Sequence, residues 1–194
     1  MPRRVLTGRA HWPTPSLALW LALAMAPASA QETASVRDAG AALARGNFDQ
    51  AVSLYSQALQ DKTLPNERRA ILLSDRGVAY ARLQNPREAI EDFNRAIQLF
   101  PEYAAIYNNR GNVLLGIGAV REAMKDFDRA LLLAPGYAAA YSNRAGAQLR
   151  LGEIDVAVAD YNKAIALAPV NPAAFTGRGR AHLAALRPRR PLPW

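Results

Sequence analysis

The stretch AAIYNNRGNVLLGIGAVREAMKDFDRALLLAPGY, Ala104 to Tyr137, decides the fold. Its first half carries Tyr107, Gly111, Leu114 and Leu115, apolar or small at helical spacing. Its second half carries Ala123, Phe127, Ala130 and Leu131, at i, i+4, i+7 and i+8. Gly118 separates the halves and Pro135 ends the second. The pattern predicts two antiparallel helices joined by a tight turn. Gly111 and Ala123 fall where the helices should cross, so that the backbones approach closely, and Phe127 then fills the space between units.

The same pattern recurs along the chain. Gly77, Gly111, Ala145 and Gly179 are spaced 34 apart, as are Ala89, Ala123 and Ala157, then Ala96, Ala130 and Ala164, then Pro101, Pro135 and Pro169. A fixed period of this size means a solenoid of one repeated supersecondary unit. The unit at 70–103 has Leu73, Tyr80 and Phe93, and the unit at 138–171 has Tyr141, Gly152 and Tyr161. An earlier unit at 32–69 has Ala39, Gly46, Ala51, Tyr55 and Ala58, with Thr63 where the closing proline belongs. The step from Ala51 to Ala89 is 38, which predicts a longer loop near Lys62–Glu67. In the second unit Asn85 is placed to cap a helix, Pro86 suits its first position, and Glu88 stands where a capping box wants an acid.

These residues resemble the tetratricopeptide repeat family. Its pattern has an aromatic at repeat position 4, small residues at 8, 20 and 27, an aromatic at 24 and proline at 32. The resemblance covers 32–186 and implies an all-α fold, a right-handed superhelix of antiparallel helix pairs whose first helices line a concave face. The role it implies is an adapter holding a peptide or protein segment. A fifth unit begins at Pro172 with Phe175, Gly179 and Leu183, then meets Leu186 where a turn glycine belongs. Residues 172–186 are read as a capping helix or partial fifth repeat. Residues 187–194, RPRRPLPW, form a basic tail that three prolines keep from being helical. A capping helix, a truncated or frameshifted longer array, and a tail for anionic surfaces are all readings of this end.

Residues 1–30 read differently from the rest. Arg3, Arg4 and Arg9 precede the apolar run Ser16–Ala26, and Ala28-Ser29-Ala30 follows Pro27. This is the pattern of a secretory signal peptide cut before Gln31. The run is short of the ~18–20 residues of a spanning helix, so no stable membrane insertion is expected after cleavage. The chain has no cysteine, so no disulfide supports it and its core must suffice. The expected location is a bacterial periplasm, or the medium. The net charge of +8 comes from the ends: from Gln31 to Gly177, sixteen basic residues face sixteen acidic ones. A neutral body gives no reason to expect nucleic acid.

No catalytic constellation is visible. Of the two histidines, His11 lies in the signal and His182 occupies a position that is Tyr80 and Leu114 in earlier units, so it is expected to be packed. Without cysteine or further histidines, no metal or cofactor is expected. Two patterns remain. Arg76, Arg110 and Arg144 share position 7, and Asp92, Asp126 and Asp160 share position 23. The first unit changes both together, to Asp38 and Leu54, which predicts contact between the two positions. Treated as an exposed pair, each contributes ~0–1 kcal/mol.

The second pattern is the groove. The resemblance implies that positions 2, 5, 6, 9, 12 and 13 of the first helices face it. These include Ser74, Asp75, Val78 and Arg82, then Asn108, Asn109 and Asn112, then Ser142, Asn143 and Arg150. Asn109 and Asn143 share position 6, which resembles the asparagine ladder of the O-GlcNAc transferase superhelix, where such amides hold an extended peptide backbone. An amide both donates and accepts, so it can hold a backbone of any sequence. The basic clamp by which the family grips chaperone tails is missing, with Ala139, Asn143, Ala173 and Gly177 at its positions. The expected function is an exported, non-catalytic scaffold for a protein or peptide partner. A structural subunit of an envelope assembly, self-associating through its ends, is the competing reading.

Overall fold

The computed structural model describes residues 28–186, with side chains from Ala34 onward. The apolar run expected to be a signal and the tail 187–194 lie outside the described residues. The chain divides into two compact units between Ala34 and Ser35. The first is represented by the opening turns of helix α1, Ala28–Ala44, which begins at the Ala28-Ser29-Ala30 triplet. The second unit, from Ser35 onward, holds the repeats.

Nine helices and no strands occur among the described residues. After α1 come α2 (Phe48–Ala58), α3 (Asn66–Arg82), α4 (Pro86–Leu99), α5 (Ala104–Gly116), α6 (Val120–Leu133), α7 (Ala138–Leu151), α8 (Ile154–Leu167) and α9 (Pro172–Ala185). Each helix packs on the next from α2 onward. The first helices of neighbouring units, α3, α5, α7 and α9, also touch one another, while among the described residues the second helices α4, α6 and α8 do not. The first helices therefore form the inner layer of an all-α superhelix.

The core repeats with the sequence. Ala89, Phe93, Ala96, Ala123, Phe127, Ala130, Ala157 and Ala164 are fully buried. A methyl added to Gly111 would lie 2.7 Å from Cε1 of Phe127, and one added to Gly77 would lie 3.0 Å from Cε1 of Phe93. In these two units glycine at position 8 is thus what lets the edge of the position-24 ring come up against the partner helix. The fifth unit departs from this. Gly179, at position 8, has no neighbour there, while Gly177, at position 6, lies against the Tyr161 ring of the preceding unit.

The turn within each unit is held by backbone alone. Residues 46, 84, 118 and 152 have positive φ. The residue after each donates its N–H five residues back, Asn47 to Ala42, Asn85 to Tyr80, Ala119 to Leu114 and Glu153 to Gln148, at 2.9–3.0 Å. This is the Schellman ending. It corrects the expectation for Asn85, whose side chain makes no cap bond. Asn47, Asn85, Ala119 and Glu153 share one backbone shape whatever their side chains, with ψ of 70, 70, 63 and 64°. Gln84, at φ 62°, is the one non-glycine residue in that conformation among the described residues, at a cost of about 1 kcal/mol. The insertion expected in the loop near Lys62–Glu67 is only partly loop. Asn66 and Glu67 open α3, which has an added turn. Arg69 ties that turn down, donating to the carbonyl oxygens of Leu59 at 3.1 Å and Asp61 at 2.7 Å.

Candidate peptide-binding groove

The surface of the inner helices depends on how they are pinned from beneath. Nε and Nη2 of Arg76 donate to both carboxylate oxygens of Asp92, at 2.7 and 2.8 Å. Arg110 does the same to Asp126, at 2.8 and 2.6 Å, and Arg144 to Asp160, at 2.7 and 2.9 Å. The contact expected from the joint change in the first unit is present, within each unit. The expectation of an exposed pair is wrong: Asp92, Asp126 and Asp160 are 3%, 5% and 7% exposed. The hydrogen bonds to the aspartates hold the guanidinium pKa values above their usual range, against desolvation.

The remaining nitrogen reaches into the preceding unit, a link that spacing alone did not reveal. Nη1 of Arg76 donates to Ser56, of Arg110 to Asn94, of Arg144 to Asp128 and of Arg178 to Asn162, at 2.6–2.9 Å. In the second to fourth units position 7 therefore locks the first helix to its own second helix and to the one before it, and at Arg178 only the latter link is made.

On this frame the polar groove residues Ser74, Arg82, Asn108, Asn109, Asn112, Ser142, Asn143 and Arg150, the expected peptide contacts, fall into three groups. Ser74 and Asn108 are buried, 3% and 4% exposed, and lie beneath the groove surface, so neither can touch a partner directly. Asn109, Ser142 and Asn143 are half-buried, and Asn112, Arg82 and Arg150 are exposed. The asparagines form a relay between α7 and α5. Nδ2 of Asn143 donates to Oδ1 of Asn108 at 2.8 Å, and Nδ2 of Asn108 donates weakly to Oδ1 of Asn109 at 3.4 Å. The relay leaves the Asn109 amide with free donors and the Asn143 amide with a free acceptor. Arg150 is committed elsewhere, donating to the Leu115 carbonyl at the end of α5. Its role in bracing α5 was not legible from its groove position.

Between α3 and α5 the groove deepens to an open pocket of about 450 Å³. Arg82, Asn109 and Asn112 line it, over an apolar floor of Val78, Phe93 and Val113. One step toward the N-terminus, Asp75 holds position 6 in place of asparagine. Its carboxylate accepts from the Tyr55 hydroxyl at 3.5 Å. Desolvation by burial pushes the Asp75 carboxyl above the usual carboxylate range, and it pushes Tyr55 up to about 12. The inner face is thus graded, with an acid at Asp75, amides at Asn109 and Asn143, and nothing at Gly177.

The described residues hold no cluster of acids, histidines or cysteines able to bind a metal, and no helix long and apolar enough to cross a membrane. His182 is exposed, contrary to the expectation that it is packed, because among the described residues no second helix covers that side of α9.

Comparison with known proteins agrees with this architecture. Tetratricopeptide repeat profiles match residues 70–103, and 110–172 and 142–188. Heat shock protein STI1 of Saccharomyces cerevisiae is 30% identical over 78 residues, 40% of this chain but only 13% of that protein. The crystal structure of MamA protein superposes with a TM-score of 0.64 at 26% identity, covering 79% of this chain and 82% of that one. The second TPR domain of human RPAP3, solved in complex with HSP70 peptide SGPTIEEVD, superposes at 0.55 with 31% identity, covering 58% and 94%. With its helix pairs, its recurring small-residue crossings and matches over more than half its length, the chain belongs to the tetratricopeptide repeat family.

Proposed function

We propose that the protein is a non-catalytic scaffold that holds an extended segment of a protein partner across the inner face of α3, α5 and α7. The observation that carries this is the asparagine relay. It fixes Asn109 and Asn143 in place and leaves one free donor and one free acceptor, which is what a peptide backbone needs. The pocket beside Asn109 and Asn112 has room for a side chain of the bound segment. The peptide complex of the human RPAP3 domain supports the reading. The segment differs from an acidic chaperone tail, because Ala139, Asn143, Ala173 and Gly177 stand where a basic clamp would be. Weak apolar anchoring and a neutral body predict an affinity of micromolar order with modest salt dependence.

The test is the double substitution Asn109→Ala and Asn112→Ala, which removes exposed or half-buried amides. It should weaken capture of the partner about tenfold and lower the melting temperature only slightly, because the one bond it takes from the buried Asn108 amide is the weak one at 3.4 Å. Asn143→Ala is the poorer probe, since it would orphan the buried Asn108 oxygen at ~1–3 kcal/mol. Undiminished capture by the double variant, with loss on deleting residues 187–194, would refute the groove reading.

We also propose, separately from the groove, that the protein is exported. The motive is the basic start, short apolar run and Ala28-Ser29-Ala30 triplet. The buried core of the second unit is drawn from Ala39 onward, so a cut before Gln31 leaves it whole. N-terminal sequencing of protein from the cell envelope should begin at Gln31, and a sequence beginning at Met1 would overturn export.

A further inference from the structure

At α9 the repeated grip is set and half empty. Arg178 holds position 7, and it is posed as Arg110 and Arg144 are. Its Nη1 donates to Asn162 at 2.8 Å, as Nη1 of Arg110 does to Asn94. Its guanidinium lies over the position-4 ring, 5.5 Å from the centre of Phe175, as Arg110 lies 5.9 Å from Tyr107 and Arg144 5.6 Å from Tyr141. In the earlier units Nε and Nη2 then grip an aspartate on the second helix. Arg178 has no acid partner among the described residues.

The surface around it is shaped to match. A methyl on Gly179 would meet nothing within 4 Å, whereas its counterparts Gly77 and Gly111 are filled by Phe93 and Phe127. Phe175 and Leu183 stand 43% and 63% exposed beside it, and Leu186 80%. The inner face of α9, Ala174 and Ala181, is already buried on α7 and α8. The open side is therefore the one a second helix would cover.

The protein shows three times which helix fits such a seat. Ala89-x-x-Asp92-Phe93-x-x-Ala96, Ala123-x-x-Asp126-Phe127-x-x-Ala130 and Ala157-x-x-Asp160-Tyr161-x-x-Ala164 are one pattern. We propose that the outer side of α9 is a docking site for an amphipathic helix of a partner protein bearing an aspartate followed by an aromatic, flanked by small residues three before the acid and three after the ring. The free guanidinium edge selects the acid, the hollow over Gly179 takes the ring, and the small residues allow close approach. This site is separate from the groove and does not depend on the groove reading.

The probe is the sequence of α6, residues 120–133, made as a peptide with Arg121→Glu and a lactam from that position to Lys125. Both positions are exposed in the fold, and the bridge removes the cost of nucleating a short helix. Fluorescence anisotropy with the full chain should show saturable binding. Asp126→Asn in the peptide, or Arg178→Ala in the protein, should weaken it at least about tenfold. Gly179→Leu, whose Cβ would meet nothing within 4 Å, should abolish it while the melting temperature does not fall. Asn109→Ala with Asn112→Ala should leave it unchanged. Absence of saturable binding, equal binding by the Arg178 and Gly179 variants, or loss of binding in the groove variant would each overturn the proposal.

Discussion

Phe127→Ala should lower the free energy of unfolding by ~3–5 kcal/mol. Phe127 is fully buried between α5 and α6, with its ring edge against the bare backbone at Gly111. Removing the ring leaves a hollow that cannot collapse, because the Arg110–Asp126 grip, one residue from both Gly111 and Phe127, holds the two helices apart. For a domain of this size the expected fall in melting temperature is on the order of 10 °C. The complementary change, Gly111→Ala, forces a methyl to within 2.7 Å of the same ring and should also destabilise. Because both act on one space, the loss in Gly111→Ala with Phe127→Leu should be smaller than the sum of the two single losses. Gly116→Ala, in the same helix with nothing within 4 Å, should instead stabilise by about 1 kcal/mol. Thermal melts in which the 111 and 116 variants behave alike would mean that the crossing lies elsewhere.

Those crossings were legible because small residues at a fixed period have one physical cause, the approach of two backbones. The partnership of positions 7 and 23 was legible for a related reason: the first unit replaces both members, with Leu54 packing against the apolar core there. Periodicity says which face of a helix a residue occupies, and less about how deep it sits. The aspartates of the pair were expected to be solvated, yet they lie under the arginines that grip them. Likewise Asn108, one position from the groove residue Asn109, is buried and serves as a link in the relay. Gly177 and Gly179 show the same limit. Both are small and two residues apart, and only the folded chain distinguishes them, because Tyr161 reaches the former. Asn85 looked like a cap by its chemistry, but its backbone belongs to the ending of the previous helix, which satisfies the same groups without any side chain.

The second large effect is expected at the buried pair. Asp126→Ala should cost ~3–5 kcal/mol, far above the ~0–1 kcal/mol of an exposed ion pair. The carboxylate is 5% exposed and takes two bonds from Arg110. Its loss leaves the guanidinium, half-buried over the Tyr107 ring, with only the Asn94 bond to hold it. That bond runs to the preceding unit, so a displaced Arg110 also loosens the stacking of unit on unit. A double-mutant cycle on Arg110→Met and Asp126→Leu separates the pair from its surroundings. It should return a coupling above about 2 kcal/mol, because Arg110→Met strands the buried Asp126 carboxylate and Asp126→Leu strands the half-buried Arg110 guanidinium. The double variant should recover much of the stability, since two apolar side chains can pack where the pair stood. The same cycle on Arg95 and Glu91, an i,i+4 pair with side chains 56% and 62% exposed, should return no more than about 0.5 kcal/mol. Equal coupling in the two cycles would show that burial adds nothing to the grip. The rigidity of the inner helices, on which both proposed binding surfaces rest, would then need another source.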